Sequence, residues 1–420
     1  MKPKILTTLK TYSWKDFRAD AFAGVTVAMV ALPLSLAIAI ASGADPAKGI
    51  VTAIVAGFLI SLLGGSRVQI GGPTGAFIVV VYGVIAHHGY DGLVLATLMA
   101  GVILLIAGFF RAGNLIQFIP EAVVNGFTIG IAVIIAVSQL KDLFGLEIAS
   151  LPADFLHKLP ALWQARETLN IPALGIGLMT IMLIVLFRKL APRWPGLIVA
   201  VGLTSAIAAL MQLPVETITS RFGALPDHLP MPSFPNVSLA RLQELLPSAL
   251  VIAFLAGVES LLSAMVADRM IEGKHRPNAE LIAQGAANLG SAVFGGLPAT
   301  GAIARTATNV KAGGRTPVAG IVHALAIFGM MLFASSLAGE LALPALAGLL
   351  ILTAWNMSEP HKWREYAQLR MEDRVLLVLT LVLTVVADLT IAIGTGVALG
   401  LALRLRRREV PPADWTPPER

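Results

Sequence analysis

Two short stretches of this chain echo each other, and they constrain its fold more than any other feature. One is Gly71-Gly72-Pro73-Thr74-Gly75-Ala76-Phe77; the other is Gly295-Gly296-Leu297-Pro298-Ala299-Thr300-Gly301-Ala302-Ile303. Apart from two inserted residues, both spell Gly-Gly, Pro, Thr-Gly-Ala and a large apolar residue. Each follows a strand-like run, Arg67-Val68-Gln69-Ile70 or Ser291-Ala292-Val293-Phe294, and each opens a helical pattern. A helix that begins inside a bilayer has first N–H groups without intrahelical partners and a dipole that is positive there. Two such ends facing each other form an anion site without a dedicated cation.

The bilayer follows from composition. Only 13% of the 420 residues are charged and 56% are hydrophobic, with a mean hydropathy of +0.79; soluble domains carry about 25% charged residues. The basic first twenty residues run straight into a full-length span, with no cleavable signal peptide visible. Cysteine is absent, which excludes disulfide and thiolate chemistry. The net charge of +6 fits a membrane protein's cytoplasmic Lys and Arg rather than nucleic-acid binding.

Apolar segments fall near 21–42, 47–64, 73–86, 92–110, 120–138, 171–187 and 195–212, then 245–267, 279–292, 300–310, 316–337, 341–356, 373–387 and 389–405. The expected fold is an all-α membrane protein of about fourteen segments. The two shortest, 73–86 and 300–310, are those opened by the echoed motif, and each is third in a run of seven. Interrupted segments at matching places in two halves point to a transporter site, and an odd number per half makes the repeats inverted. The expected divisions are a cytoplasmic N-terminus at 1–20, repeats at 21–212 and 245–405, an outer loop at 213–244 and a cytoplasmic tail at 406–420. With the N-terminus inside, basic residues favour the inner loops by about four to one.

Charges within spans are few and therefore informative. Glu259 lies in the eighth segment with Ser263 one turn along, a proton or cation coupling pair or a structural carboxyl. Arg305 lies a turn into the second half-helix, supporting an anion or pairing with Glu259. Thr74 and Thr300 are candidate N-caps, whose hydroxyls either serve the helix alone or also meet substrate. Pro33 breaks the first span, as a kink or a cavity wall, and Glu121 complements a helix dipole. His87 and His88 lack metal spacing. No P-loop, GxSxG, HExxH or CxxC motif occurs, so the chain reads as no enzyme, with no cofactor.

Several runs together resemble the SulP family of anion transporters: Pro277-Asn278-Ala279-Glu280 through Gln284 and Asn288, then Phe294-Gly295-Gly296, Thr300-Gly301, Arg305, Gly313-Gly314-Arg315-Thr316 and Ala319-Gly320. Ile119-Pro120 with Gly126-Phe127-Thr128 and Gly130, and Asp388-Leu389, add to it. The resemblance implies two inverted repeats of seven segments, arranged as core and gate domains with an elevator-like motion. It implies an anion between Thr74, Gly75, Ala76 and Phe77 on one side and Thr300, Gly301, Ala302, Ile303, Ala304 and Arg305 on the other, with Leu34 and Ile38 lining the cavity. Sodium-coupled members carry an aspartate and a threonine where this chain has Glu259 and Ser263, so H+ is expected rather than Na+. Most relatives continue into a STAS domain, whereas this sequence stops soon after Arg408, as a trimmed chain or a naturally short member. The expected activity is secondary transport of bicarbonate, sulfate or a dicarboxylate across a bacterial inner membrane, with a homodimer left open. The alternatives are a nucleobase-type permease on the same fold, which would want a carboxylate where Arg305 stands, and an anion channel.

Overall fold

The computed structural model describes residues 2–114, 120–148, 151–191, 195–387 and 389–407. Ile119, Arg193, Asp388 and the tail from 408 onward lie outside the described residues. The first half runs α1 (Lys4–Thr8), α2 (Trp14–Ala41), α3 (Pro46–Leu63), β1 (Gly71–Gly72), α4 (Phe77–Phe109), α5 (Glu121–Ser138), α6 (Leu140–Leu143), α7 (Phe155–Gln164), α8 (Ile171–Leu190) and α9 (Gly196–Leu210). After α10 (Ile218–Phe222) come α11 (Leu239–Ile271), α12 (Pro277–Val293), β2 (Thr300–Gly301), α13 (Ile303–Lys311), α14 (Pro317–Gly339), α15 (Leu343–Met357), α16 (Trp363–Gln368), α17 (Met371–Val386) and α18 (Leu389–Arg407).

The local starts follow their sequences. Ser13 and Asp16 form a reciprocal capping box on α2. Asp45, Asn170 and Thr316 accept from the first-turn amides of α3, α8 and α14, each of which has a proline in its first turn. Among the described residues, seven helices are long and apolar enough to cross a membrane. Within α4, Gly89 is non-helical, with φ 69° and ψ 179°, and divides two helical stretches at the place where the third segment gives way to the fourth.

The strand expectation is corrected. Arg67–Ile70 forms no strand, and Ser291–Val293 completes α12. The strands are the echoed residues themselves, crossing antiparallel with Gly71 opposite Gly301 and Gly72 opposite Thr300. Glycine suits both β1 positions: a Cβ on Gly71 would stand 2.2 Å from Ile60 Cδ1, and Gly72 has φ +150° with Arg305 Nη1 against it.

The helices pack as two bundles. One joins α2, α3, α4, α11, α12, α13 and α14; the other joins α5, α8, α9, α15, α17 and α18. Each bundle draws on both halves of the chain. The N-terminal segment gathers three loops on one face: Lys4 N–H donates to the Gly64 carbonyl at 2.8 Å, its Nζ to the Lys274 carbonyl at 2.9 Å, and the Asp20 carboxylate accepts the Arg315 and Thr316 amides at 2.7 and 3.1 Å.

Candidate functional site

Between the bundles lies a cavity of about 1690 Å³. Its walls include Leu34 and Ile38 of α2, Pro73–Ala76 before α4, Glu259 of α11 and Gly301–Arg305 across β2 and α13. The other bundle contributes Asn125, Thr128, Thr353 and Asn356, polar groups that the sequence did not single out as site residues, Thr128 having entered only through the family resemblance. Toward one face the lining is charged, with Arg188, Asp268, Lys274, His275, Lys311 and Lys362. Lys274 belongs to the loop held by the N-terminal segment.

The candidate residues separate into those that reach this cavity and those that do not. Leu34, Ile38, Thr74, Gly75, Ala76, Glu259, Gly301, Ala302, Ile303, Ala304 and Arg305 line it. Ile303 is 43% exposed there, an apolar side chain held open by its place at the start of α13. Phe77, Thr300 and Ser263 lie behind the lining and are buried. Phe77 is the first residue of α4 and packs into the apolar core.

Neither threonine caps a helix. α4 starts after Ala76 and α13 after Ala302, in both cases with no side-chain cap. Thr74 instead donates its hydroxyl to Glu259 Oε2 at 3.0 Å, and Thr300 donates to the Ala256 carbonyl at 2.9 Å. The reason is a turn at 75–76 between β1 and α4, which sets Thr74 too early to reach the first helical amides. The Phe77 amide bonds back to the Thr74 carbonyl at 3.2 Å and the Ala302 amide to the Ile70 carbonyl at 2.8 Å. Those two donors are therefore already used. Ser263 does not join Glu259; its hydroxyl meets Thr306 Oγ1 of α13 at 3.3 Å.

Arg305 is 1% exposed. Its Nη2 donates to Ser35 Oγ and to the Pro73 carbonyl, both at 3.1 Å, so one guanidinium ties α13 to α2 and to the opposite turn. Its Nε and Nη1 have no partner among the described residues, and no ion pair there joins it to Glu259. A buried cation with spare donors beside two helix starts is a strong local positive field.

The crossing is held by a polar stripe on α12. Asn288 Nδ2 donates to the Ala299 carbonyl and its Oδ1 accepts the Ala299 amide, both at 2.9 Å. Ser291 donates to the Leu297 carbonyl at 2.6 Å, and Thr52 of α3 accepts the Leu297 amide at 2.6 Å. The readable signal was spacing: Glu280, Gln284, Asn288 and Ser291 recur every three or four residues in an otherwise apolar helix.

Residues 17–380 match the model of the sulfate permease family. The chain belongs to that family. It is 42% identical over 373 residues to a putative sulfate transporter, YvdB, of Bacillus subtilis, covering 88% of this chain and 70% of that one. It is 34% identical over 351 residues to the bicarbonate transporter BicA of a Picosynechococcus species, covering 80% of this chain and 61% of that one. The chain thus spans part of the length of each of these family members. The transmembrane domain of a cyanobacterium bicarbonate transporter BicA superposes with a TM-score of 0.81 at 29% identity, covering 91% of this chain and 99% of that one. Murine Slc26a9, an anion transporter in the inward-facing state, superposes with a TM-score of 0.86 at 19% identity, covering 97% and 71%, a likeness of fold alone. The family's curated members are transporters, not enzymes.

Proposed function

We propose that this chain is a secondary active transporter of small anions, with bicarbonate, sulfate and dicarboxylates as the candidate class. The observation that carries the proposal is the strand crossing. It sets the starts of α4 and α13 side by side at one cavity, with Arg305 bonded across both. Each helix start acts as roughly half a positive charge, so the pair approaches one full charge before the guanidinium is counted. The anion meets backbone donors at Gly75–Ala76 and in the first turn of α13, while Leu34 and Ile38 form the apolar wall.

In this reading the fourteen segments form two inverted repeats in a bacterial inner membrane, with both termini cytoplasmic. The bundle containing α4 and α13 carries the anion and moves like an elevator against the other bundle. Glu259, bonded to Thr74 at the site itself, couples transport to protons or serves exchange. The relatives named as sulfate and bicarbonate transporters support the substrate class. Arg305, standing where a nucleobase carrier would want a carboxylate, favours an anion over a neutral ring. The test is uptake into liposomes of labelled bicarbonate, sulfate and dicarboxylates, with and without proton and sodium gradients. Saturable uptake with counterflow is expected; uptake that never saturates points to a channel, and indifference to every anion sinks the proposal.

A further inference from the structure

Glu280 is fully buried near the start of α12, and nothing in the anion site described above uses it. Its Oε2 accepts the Gly65 amide at 2.9 Å and the Ser66 amide at 3.2 Å. Its Oε1 accepts the Ser260 hydroxyl at 2.9 Å and Gln284 Nε2 at 3.0 Å. Four donors thus converge on one carboxyl, so both oxygens act as acceptors. Such an arrangement satisfies a buried charge without a cation. The carboxylate also lies in its helix's first turn, where the dipole favours it.

From there the bonds run toward the crossing. Ser260 Oγ accepts Gln284 Nε2 at 2.6 Å and Gln69 Nε2 at 2.8 Å. Both glutamines turn their nitrogens toward this centre and leave their own oxygens without partners among the described residues. The Gln69 amide then ends against Gly301: a Cβ there would stand 1.4 Å from Nε2. Gly301 is the β2 residue paired with Gly71. Ser260, in turn, is the neighbour of Glu259, which holds Thr74.

We infer that Glu280 is a positioning residue: through Ser260 and Gln69 its carboxylate sets the register of β1 on β2, and with it the separation of the two helix starts. This rests on the anion reading above. The physical ground is that three of the four strand residues are glycine, and the fourth, Thr300, spends its hydroxyl on the Ala256 carbonyl of α11, so side chains within the strands do little to fix register. Something packed against them must do so, and the Gln69 amide occupies that place. Every bond in the chain is buried, so a lost partner is felt in full rather than replaced by solvent.

The test compares Glu280→Gln, Gln69→Leu and the double variant. Glu280→Gln turns one acceptor into a donor facing donors, and Gln69→Leu cuts the last link while leaving all four carboxylate bonds intact. Uptake of labelled bicarbonate and of labelled sulfate gives KM and turnover. Hydrogen exchange of peptides covering 68–76 and 298–306 reports the crossing without reference to transport. Each single variant is expected to raise KM roughly tenfold, the scale of one buried partner left unsatisfied, with turnover changed less. The double variant should be no worse than the worse single one, and exchange should quicken in both peptides while that of α15 stays as in the wild type. Additive KM effects, or unchanged exchange at the crossing, would overturn the inference. If Glu280→Gln does not fold, Gln69→Leu with Ser260→Ala decides it by the same readouts. If the wild type takes up no anion, the functional reading fails while the exchange arm still judges Glu280.

Discussion

Gly301→Ala places a methyl group 1.4 Å from Gln69 Nε2, 2.6 Å from its Cδ and 3.1 Å from Ser260 Oγ. Gln69 is 3% exposed, and its side-chain end is held by hydrogen bonds rather than free. It must leave its bonds to the Ser260 hydroxyl at 2.8 Å and the Ser260 carbonyl at 3.2 Å. Forcing an extra carbon into a packed interior costs about 1–3 kcal/mol, and stranding the buried amide costs about 1–3 kcal/mol more. The sum, about 2–6 kcal/mol, is a large part of a typical protein's stability. The assay is thermal unfolding of the purified protein in detergent, followed by anion binding in calorimetry on the folded fraction. Two other glycines serve as controls. At Gly75 the nearest obstacle is the end of a flexible side chain, Met357 Sδ at 3.0 Å, and at Gly83 nothing lies within 4 Å. Alanine at either should be mild. Gln69→Ala in the Gly301→Ala background removes the obstacle, and Ser260 keeps its bond from Gln284 at 2.6 Å, so stability should partly return. A Gly301→Ala protein as stable as the wild type, or no recovery with Gln69→Ala, would show that the close approach of Gln69 to β2 is not the constraint described.

Glu259→Gln should abolish the acceleration of uptake by an inward proton gradient while anion exchange stays measurable; an unchanged gradient response removes Glu259 from coupling. Because the chain lacks cysteine, a cysteine at Leu34 should react with a water-soluble thiol reagent and be slowed by substrate, and one at Ile38, 2% exposed, should react more slowly. Equal inertness at both would mean that α2 faces no water. Lys158 on α7, outside the apolar spans, is 3% exposed and bonded to Ser138 Oγ at 3.1 Å. Burial pulls its ammonium from an ordinary 10.5 down to about 8, with Asp154 partly opposing. Below about pH 8 the buried charge is fully felt; between about 8 and 10.5 the unfolded chain holds the extra proton, so the folded state gains about 3 kcal/mol as pH rises. The melting temperature of the wild type minus that of Lys158→Met should therefore climb from pH 7 to pH 10, and a flat difference refutes the assignment.

The crossing motifs and the Arg305 cation were legible because Gly-Gly, Pro and a lone intramembrane charge have few uses in a membrane segment, whereas Leu34 and Ile38 came only with the family resemblance. What eluded the sequence was partnership. Arg67-Val68-Gln69-Ile70 has strand-like composition, yet the Ile70 amide goes to Thr306 Oγ1 at 3.1 Å and the Val68 carbonyl to Asn309 Nδ2 at 2.8 Å, side chains of α13. Propensity cannot anticipate such distant partners. Thr74 reads as a cap from local spacing, but Glu259, 185 residues away, claims its hydroxyl. Glu280 was visible only as part of a resemblance, since a carboxyl near a helix start has an ordinary local explanation.

The pairing of Gly71 with Gly301 and of Gly72 with Thr300 also bears on how the chain is made. During synthesis the first crossing strand enters the bilayer long before its partner exists. Its backbone groups then have no strand to pair with, in a solvent that offers none. The first half should therefore wait in a hydrated or chaperoned environment, such as the insertion machinery, until the second half arrives. Halves expressed as separate chains should be short-lived alone and should rescue each other when made together. Ribosome stalling placed before β2 should leave α4 open to proteases, and stalling after α13 should close it.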